Sequence, residues 1–263
     1  MVRAGAGERD AAQSTAALLW GLREPPSRGP RPGLTVAGIA DAAVGIADAD
    51  GLDALSMQRV AAALGVTKMA LYRYVAGKSD LEAVMIEAAV GDPPDLAGVP
   101  GGWRARLEEF VRLLALAWHR HPWLPWITVG DRVMGPRELG WVESALAALD
   151  GTPLDGTERL DAVFVLFGHI RNTQSMSTAG TQPWTGDKRL TPVMDQLLAA
   201  NGESYPALHR VFAASGSLAG SADNGREFGL RRLLDGLQML IDRRAPTDRR
   251  AQDGPPVGQR LTE

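Results

Sequence analysis

The side chains best suited to chemistry lie between residues 58 and 78. Thr67, Lys68 and Met69 follow one another at the start of a short helical stretch, and Tyr72 stands one turn later. Lys68 offers an ammonium to guanine, Thr67 a hydroxyl to several bases, and Met69 an apolar tip to a thymine methyl. Gln58, early in the preceding stretch, carries an amide that suits adenine or a phosphate. Lys78 precedes another helix start, where a cation beside free backbone N–H groups makes a phosphate clamp. This set of side chains suits nucleic acid.

The elements that must hold these side chains are legible from their punctuation. Ser56 can cap a helix over residues 57–64, with Val60, Ala61 and Leu64 on its inner face. Gly65 then supplies the left-handed residue that a chain leaving a helix commonly needs. Thr67 caps a second helix running to about Tyr74, and Val66 and Leu71 stand at the spacing of a hydrophobic staple. Leu71 and Val75 belong to the core. Gly77 ends the stretch, and Ser79 with Glu82 spells a capping box for the next helix. Two short helices about a Gly-containing turn form a helix-turn-helix, whose second helix enters the major groove. Small helical turns of this shape also occur in enzymes, so the pattern alone leaves DNA binding and mere packing both open.

Catalytic chemistry finds little support. Cysteine is absent, which removes disulfides, zinc thiolates and cysteine nucleophiles. Gly77-Lys78-Ser79 resembles the end of a phosphate-binding loop, but Tyr72 stands where that loop needs its first glycine, and no strand precedes it. His119 and His121 lie two apart, poor spacing for helical metal ligands, and His169 and His209 are isolated. No nucleophile elbow or dinucleotide-binding glycine fingerprint occurs. The chain is not expected to be an enzyme, and no cofactor or metal is called for.

Leu64-Gly65-Val66, then Leu71-Tyr72-Arg73-Tyr74-Val75, then Lys78 and Leu81, resemble the signature of the tetracycline-repressor (TetR) family. The segment over residues 36–51 is similar to that family's first helix, and the likeness is specific over residues 35–91. It implies a homodimeric repressor whose larger domain binds a small molecule. It also implies groove-reading positions at Thr67, Lys68, Met69, Tyr72 and Tyr74, with a phosphate contact at Lys78. Many members carry His where Tyr74 stands. The remainder resembles members with tryptophan-rich helical C-terminal domains.

The 263 residues suit one or two domains, and a hydrophobic share of 45% is ample for a core. A net charge of −3 does not advertise a polyanion partner. Residues 34–91 hold four basic against seven acidic side chains, unusual for a DNA-binding domain. No apolar run is long enough to span a membrane, and no signal-peptide core opens the chain. A cytoplasmic protein is expected.

Residues 1–33 read as a flexible arm, locally basic at Arg23, Arg28 and Arg31 and kept from helix by proline and glycine over residues 23–33. Ala16 to Leu22 could add a short amphipathic turn or helix. Thr35 caps the first long helix, whose apolar face is Val36, Ile39, Ala40, Ala43 and Ile46. Residues 34–91 form the helix-turn-helix domain, ending in a connector helix over residues 79–90. Leu81, Met85 and Ala88 on that helix should touch both domains, and Met85→Ala should blunt ligand response while sparing the fold. Residues 91–102 read as a linker. Residues 102–243 form the larger helical domain and 244–263 a disordered tail. Strand signals are scarce, so the fold class is all-α.

In the larger domain, Trp118, Trp123, Trp126, Trp141, Phe164 and Phe167 favour an apolar or aromatic effector, with His121, Arg171, Asn172 and Gln174 as polar anchors. Each aromatic could equally be plain core. The stretch 158–173 is apolar all round, which signals burial on several sides. With the last helix, 226–243, it should form a two-fold four-helix bundle through Leu160, Phe164, Leu233, Leu237 and Leu240. The expected function is a ligand-responsive DNA-binding regulator, a repressor released from a palindromic double-stranded operator. A ligand-independent DNA architectural protein and a helical enzyme are the alternatives.

Overall fold

The structure is a computed structural model that describes residues 6–22, 34–177, 191–214 and 225–244. Over those residues the chain is helical throughout, without a strand. The basic cluster at Arg23, Arg28 and Arg31 and the tail beyond residue 244 lie outside the described residues.

The first difference from expectation is α1 (Ala6–Leu19). An arm is expected here, yet a helix docks across the connector helix. Residues 14–19 are half-buried, and Leu18 and Leu19 pack against the core. Two polar bonds fix it: the Thr15 hydroxyl donates to Asp80 Oδ1 (2.6 Å), and Trp20 Nε1 donates to the carbonyl of Met134 (3.2 Å).

Local chemistry then follows the sequence closely. α2 (Val36–Asp50) is capped by Thr35, which accepts from Gly38 N at 3.0 Å. A single 3-10 turn, Leu52–Ala54, leads to α3 (Met57–Ala63), where Ser56 accepts from Arg59 N at 3.2 Å. Gly65 adopts φ 64°, a conformation that costs other residues about 1–2 kcal/mol. α4 (Lys68–Tyr72) begins at Thr67, whose Oγ1 accepts from Ala70 N at 3.3 Å. Leu71 and Val75 are wholly buried.

The capping box at Ser79 and Glu82 does not form. α5 (Lys78–Val90) starts one residue sooner, after Gly77, and no side chain caps it. That start puts Ser79 inside the first turn, out of capping position. Asp80 instead reaches back to accept from Ala76 N (3.0 Å), and Glu82 pairs with Lys78 at 3.5 Å.

The larger unit comprises α6 (Gly102–Arg120), α7 (Leu124–Ile127), α8 (Pro136–Ala147), α9 (Gly156–Ser177), α10 (Pro192–Ala200), α11 (Pro206–Ala214) and α12 (Arg226–Arg244). α6 buries Leu107, Phe110, Val111, Leu114 and Trp118, the stripe its periodicity predicts. Phe110 meets Trp141 and Phe167 edge-on, with ring centroids 5.8 and 5.6 Å apart. Such pairs add about 0.5–1.5 kcal/mol beyond area burial.

The segment 91–102 is no loose linker. Leu96 is buried, Ser144 Oγ donates to Pro94 O (2.9 Å), and a Cβ on Gly140 would lie 2.7 Å from the Pro93 ring. One continuous apolar core runs from Ile39 to Ile241. α5 lies at its centre, against α2 and α1 on one side and α6, α7 and α8 on the other.

α9 is expected to be enclosed on several sides. It buries Val163, Leu166 and Ile170 against α6, α8 and α12, but Phe164 is 57% and Val165 51% exposed. Its other face is open in a single chain.

Candidate DNA interface and interhelical cavity

The exposed face of the helix-turn-helix carries nearly all of the side chains that sequence assigns to DNA. Thr67, Lys68, Met69 and Tyr72 on or beside α4, Gln58 on α3 and Lys78 at the start of α5 are all exposed. Met69 is 73% exposed, which leaves its apolar tip free to meet a thymine methyl. Lys68 Nζ sits 5.7 Å from the Tyr72 ring centroid, an arrangement that holds both on one face. Thr67 uses its oxygen as a cap acceptor, which leaves its hydroxyl proton to donate. Tyr74 differs from the rest, being half-buried and packed against the core.

Five of the seven acidic side chains of this domain are engaged within the protein. Asp80 and Glu87 are turned inward to backbone N–H groups. Asp48 accepts from Trp123 Nε1 (2.7 Å) and meets His121 Nδ1 (3.0 Å). Asp50 pairs with Arg59 and Glu82 with Lys78. The last pair is exposed and so worth little, about 0–1 kcal/mol. A phosphate can therefore take Lys78 from Glu82 at small cost.

A cavity of about 450 Å³ opens between α5, α6, α8 and α9. Its apolar wall is Leu114, Trp118, Trp141, Val142, Phe164 and Phe167, and its polar side is Thr128, Arg132, Glu138 and Arg171. Arg132 binds Glu138 through both guanidinium nitrogens, Nη1 to Oε2 at 2.7 Å and Nη2 to Oε1. Arg171 Nη2 donates to the Thr128 carbonyl (3.0 Å) and Oγ1 (3.3 Å), and its guanidinium lies 5.5 Å from the Trp118 ring. Burial, and then the nearby Arg132, hold the Arg171 guanidinium below the usual arginine range.

Of the expected effector residues, the cavity gathers Trp118, Trp141, Phe164, Phe167 and Arg171. The other five lie elsewhere. His121 and Trp123 bind Asp48 of α2 and tie the two units together. Trp126 is 50% exposed and outside the cavity lining. Asn172 is exposed, because it follows Arg171 by one residue and so points off the cavity side of α9. Gln174 is buried beside a separate groove between α6 and α12. The expected interface residues Leu160, Leu233, Leu237 and Leu240 lie on α9 and α12, three of them around a shallow groove between the two helices. His169 Nε2 meets the Arg226 carbonyl at 2.8 Å, an α9–α12 tie.

Sequence reasoning missed the joint between the cavity and α5. Glu87 of α5 caps α8, accepting from Arg137 N (2.9 Å) and Glu138 N (3.0 Å). A Cβ on Gly135 would lie 2.2 Å from the Glu87 carboxyl carbon, so a larger residue there would push the carboxylate off its cap. Trp141 Nε1 donates to the carbonyl of Val90 (3.2 Å), the last residue of α5 and itself part of the cavity wall. Gly135-Pro136 signals a helix start, but nothing in the sequence pairs that start with a carboxylate fifty residues earlier. Met85 is fully enclosed, so Met85→Ala should cost about 2–5 kcal/mol of stability in addition to any effect on ligand response.

Residues 39–83 match the tetR family of bacterial regulatory proteins, and residues 97–241 match the tetracyclin repressor-like C-terminal domain. The HTH-type transcriptional repressor DrrR1 of Streptomyces coeruleorubidus is 35% identical over 241 residues, 88% of this chain and 87% of that protein. A possible TetR family transcriptional regulator from Streptomyces coelicolor A3(2) superimposes with a TM-score of 0.64. It is 27% identical, over 78% of this chain and 100% of that one. ActR of Streptomyces coelicolor, solved in complex with actinorhodin, gives a TM-score of 0.64 at 24% identity over 80% and 98% of the two chains. Fold and surface thus define a DNA-binding transcriptional regulator of the repressor type. The chain belongs to the tetracycline-repressor family, whose members are regulators rather than enzymes.

Proposed function

We propose that the chain acts as a homodimer on a palindromic double-stranded operator, and that a small apolar or aromatic molecule in the α5–α6–α8–α9 cavity releases it. The observation that carries this reading is α5 itself. Its carboxyl end, Val90, is part of the cavity wall, while Asp80 near its amino end holds the backbone at Ala76, just beyond the recognition helix. A molecule that displaces Trp141 or the Glu138–Arg132 pair pushes on α8, and α8 is bonded to α5 through Glu87 and Val90. Tilting α5 moves α4.

In a dimer, the two copies of α4 must meet successive major grooves about 34 Å apart, or a multiple of that spacing. An effector that prefers the mis-spaced arrangement shifts the population away from DNA. The open face of α9 supports the dimer, with Leu160, Phe164, Leu233, Leu237 and Leu240 toward the two-fold mate. Thr67, Lys68, Met69, Tyr72 and Gln58 read or steady the groove, Lys78 holds phosphate, and Tyr74 contributes from its half-buried position. ActR, which shares the fold, has been solved with (S)-DNPA and with actinorhodin. Its small-molecule complexes support a cavity of the same purpose here, in a protein working on cytoplasmic DNA.

The test is fluorescence anisotropy on DNA flanking the protein's own gene. Sequence-specific binding, reversed by a member of an aromatic compound library that also raises the melting temperature, is the expected result. Specific binding that no cavity ligand reverses would favour the ligand-independent architectural reading.

A further inference from the structure

Within the reading of the cavity as an effector site, one half-buried cation has no carboxylate bonded to it, and Glu138, the acid near it, is already held by Arg132. The polar side of the cavity holds two arginines and one glutamate. Arg132 and Glu138 neutralise each other through a two-pronged bond. Arg171 is left over. Among the described residues no carboxylate pairs with it, and its Nε is buried without a hydrogen-bond partner. Its one engaged nitrogen, Nη2, meets two oxygens of Thr128, both neutral.

A strut between α9 and the end of α7 would explain the Thr128 bonds. It explains neither the idle Nε nor the choice of a permanent cation in a wall built from Trp118, Trp141, Phe164 and Phe167. Buried donors left unmade are costly, and buried charges are normally paired. We infer that the effector carries an anionic oxygen, a carboxylate or ionised phenol on an aromatic ring system, which Arg171 receives while the rings lie against the tryptophan and phenylalanine wall.

The planar guanidinium suits this task, since it can give two parallel N–H bonds to one carboxylate. Trp118 beside it steadies the cation from its face. The inference depends on the cavity being the effector site, and the two ideas fail in different ways.

The probes are anthracene-2-carboxylate and its neutral isostere anthracene-2-carboxamide, titrated calorimetrically into the full chain. The carboxylate should bind about ten-fold or more tightly than the amide. Arg171→Gln should abolish the preference, bringing carboxylate and amide to the same affinity. Arg171→Lys, which keeps the charge but not the fork, should restore part of the preference. Equal affinities on the unaltered protein would overturn the inference while leaving the cavity as the effector site, and that comparison needs no variant to fold. A preference that survives in a folded Arg171→Gln protein would also overturn it. Binding of neither probe would overturn the cavity reading and this inference with it.

Discussion

The two ends of α5 lie against surfaces of opposite construction. At its amino end, the DNA-reading face is made by one contiguous stretch whose side chains point outward and depend little on distant residues. At its carboxyl end, the cavity is assembled from four helices and the loop after α7, and its polar groups are fixed by bonds across tens of residues of sequence. The first can be altered one side chain at a time with the fold unchanged. The second is part of the core, so every change there is also a change in stability and in coupling. A repressor needs both: a surface free to read, and an interior rigid enough to transmit.

That contrast breaks most visibly at the dimer. Leu237→Arg puts a charge into the open α9–α12 face. Light scattering should show monomers, and operator affinity should fall by about a hundredfold or more once two half-sites no longer bind together. An unchanged dimer would remove these helices from the interface.

On the DNA face, single substitutions should act independently. Lys68→Ala should cost about 1–3 kcal/mol on the true operator and little on random DNA. Lys78→Ala should weaken both alike and lower the salt slope by about one. Equal losses on both DNAs for Lys68→Ala would move Lys68 to the phosphate class.

In the interior, effects should be smaller but coupled. Trp141→Phe keeps an aromatic ring but shrinks it and deletes its bond to Val90, the lost bond alone costing about 1 kcal/mol. Binding to operator without effector should hold, while the effector's power to release DNA drops. A release curve identical to that of the unaltered protein would take Trp141 out of the transmission path.

The smallest effect lies far from both surfaces. Bonding from Arg104, then the charge of Arg232, holds the Asp235 carboxyl below the usual carboxylate range. A depressed folded value means stabilisation that is present above the ordinary aspartate range and lost as pH falls through the folded value. Asp235→Asn should therefore lower the melting temperature slightly at neutral pH, and the difference should vanish in acid. A gap that is constant with pH would assign the effect to packing.

The same contrast explains what the sequence revealed. Thr35, Ser56, Gly65 and Thr67 act on neighbours within four residues, so their roles are legible in order along the chain. The stripes of α2 and α6 are legible for the same reason. The Ser79 box failed because Asp80, one residue along, was drawn inward by Ala76 and by Thr15 of a helix that proline-rich surroundings had disguised. Residue type alone singles out Trp118, Trp141, Phe164, Phe167 and Arg171, and equally Trp123, Trp126 and His121. Only tertiary packing sorts the cavity from the Asp48 clamp. The Glu87 cap on α8 has no local signature at all.

The central claim is that cavity and operator are linked through α5, and reciprocity tests it directly. An effector found by operator release is titrated into the protein twice, once alone and once saturated with operator. DNA should weaken effector binding by the same factor by which the effector weakens DNA binding, about 5–150-fold, or roughly 1–3 kcal/mol. Identical effector affinities in the two titrations would mean the sites are uncoupled, and the account of α5 as the link between them would be wrong.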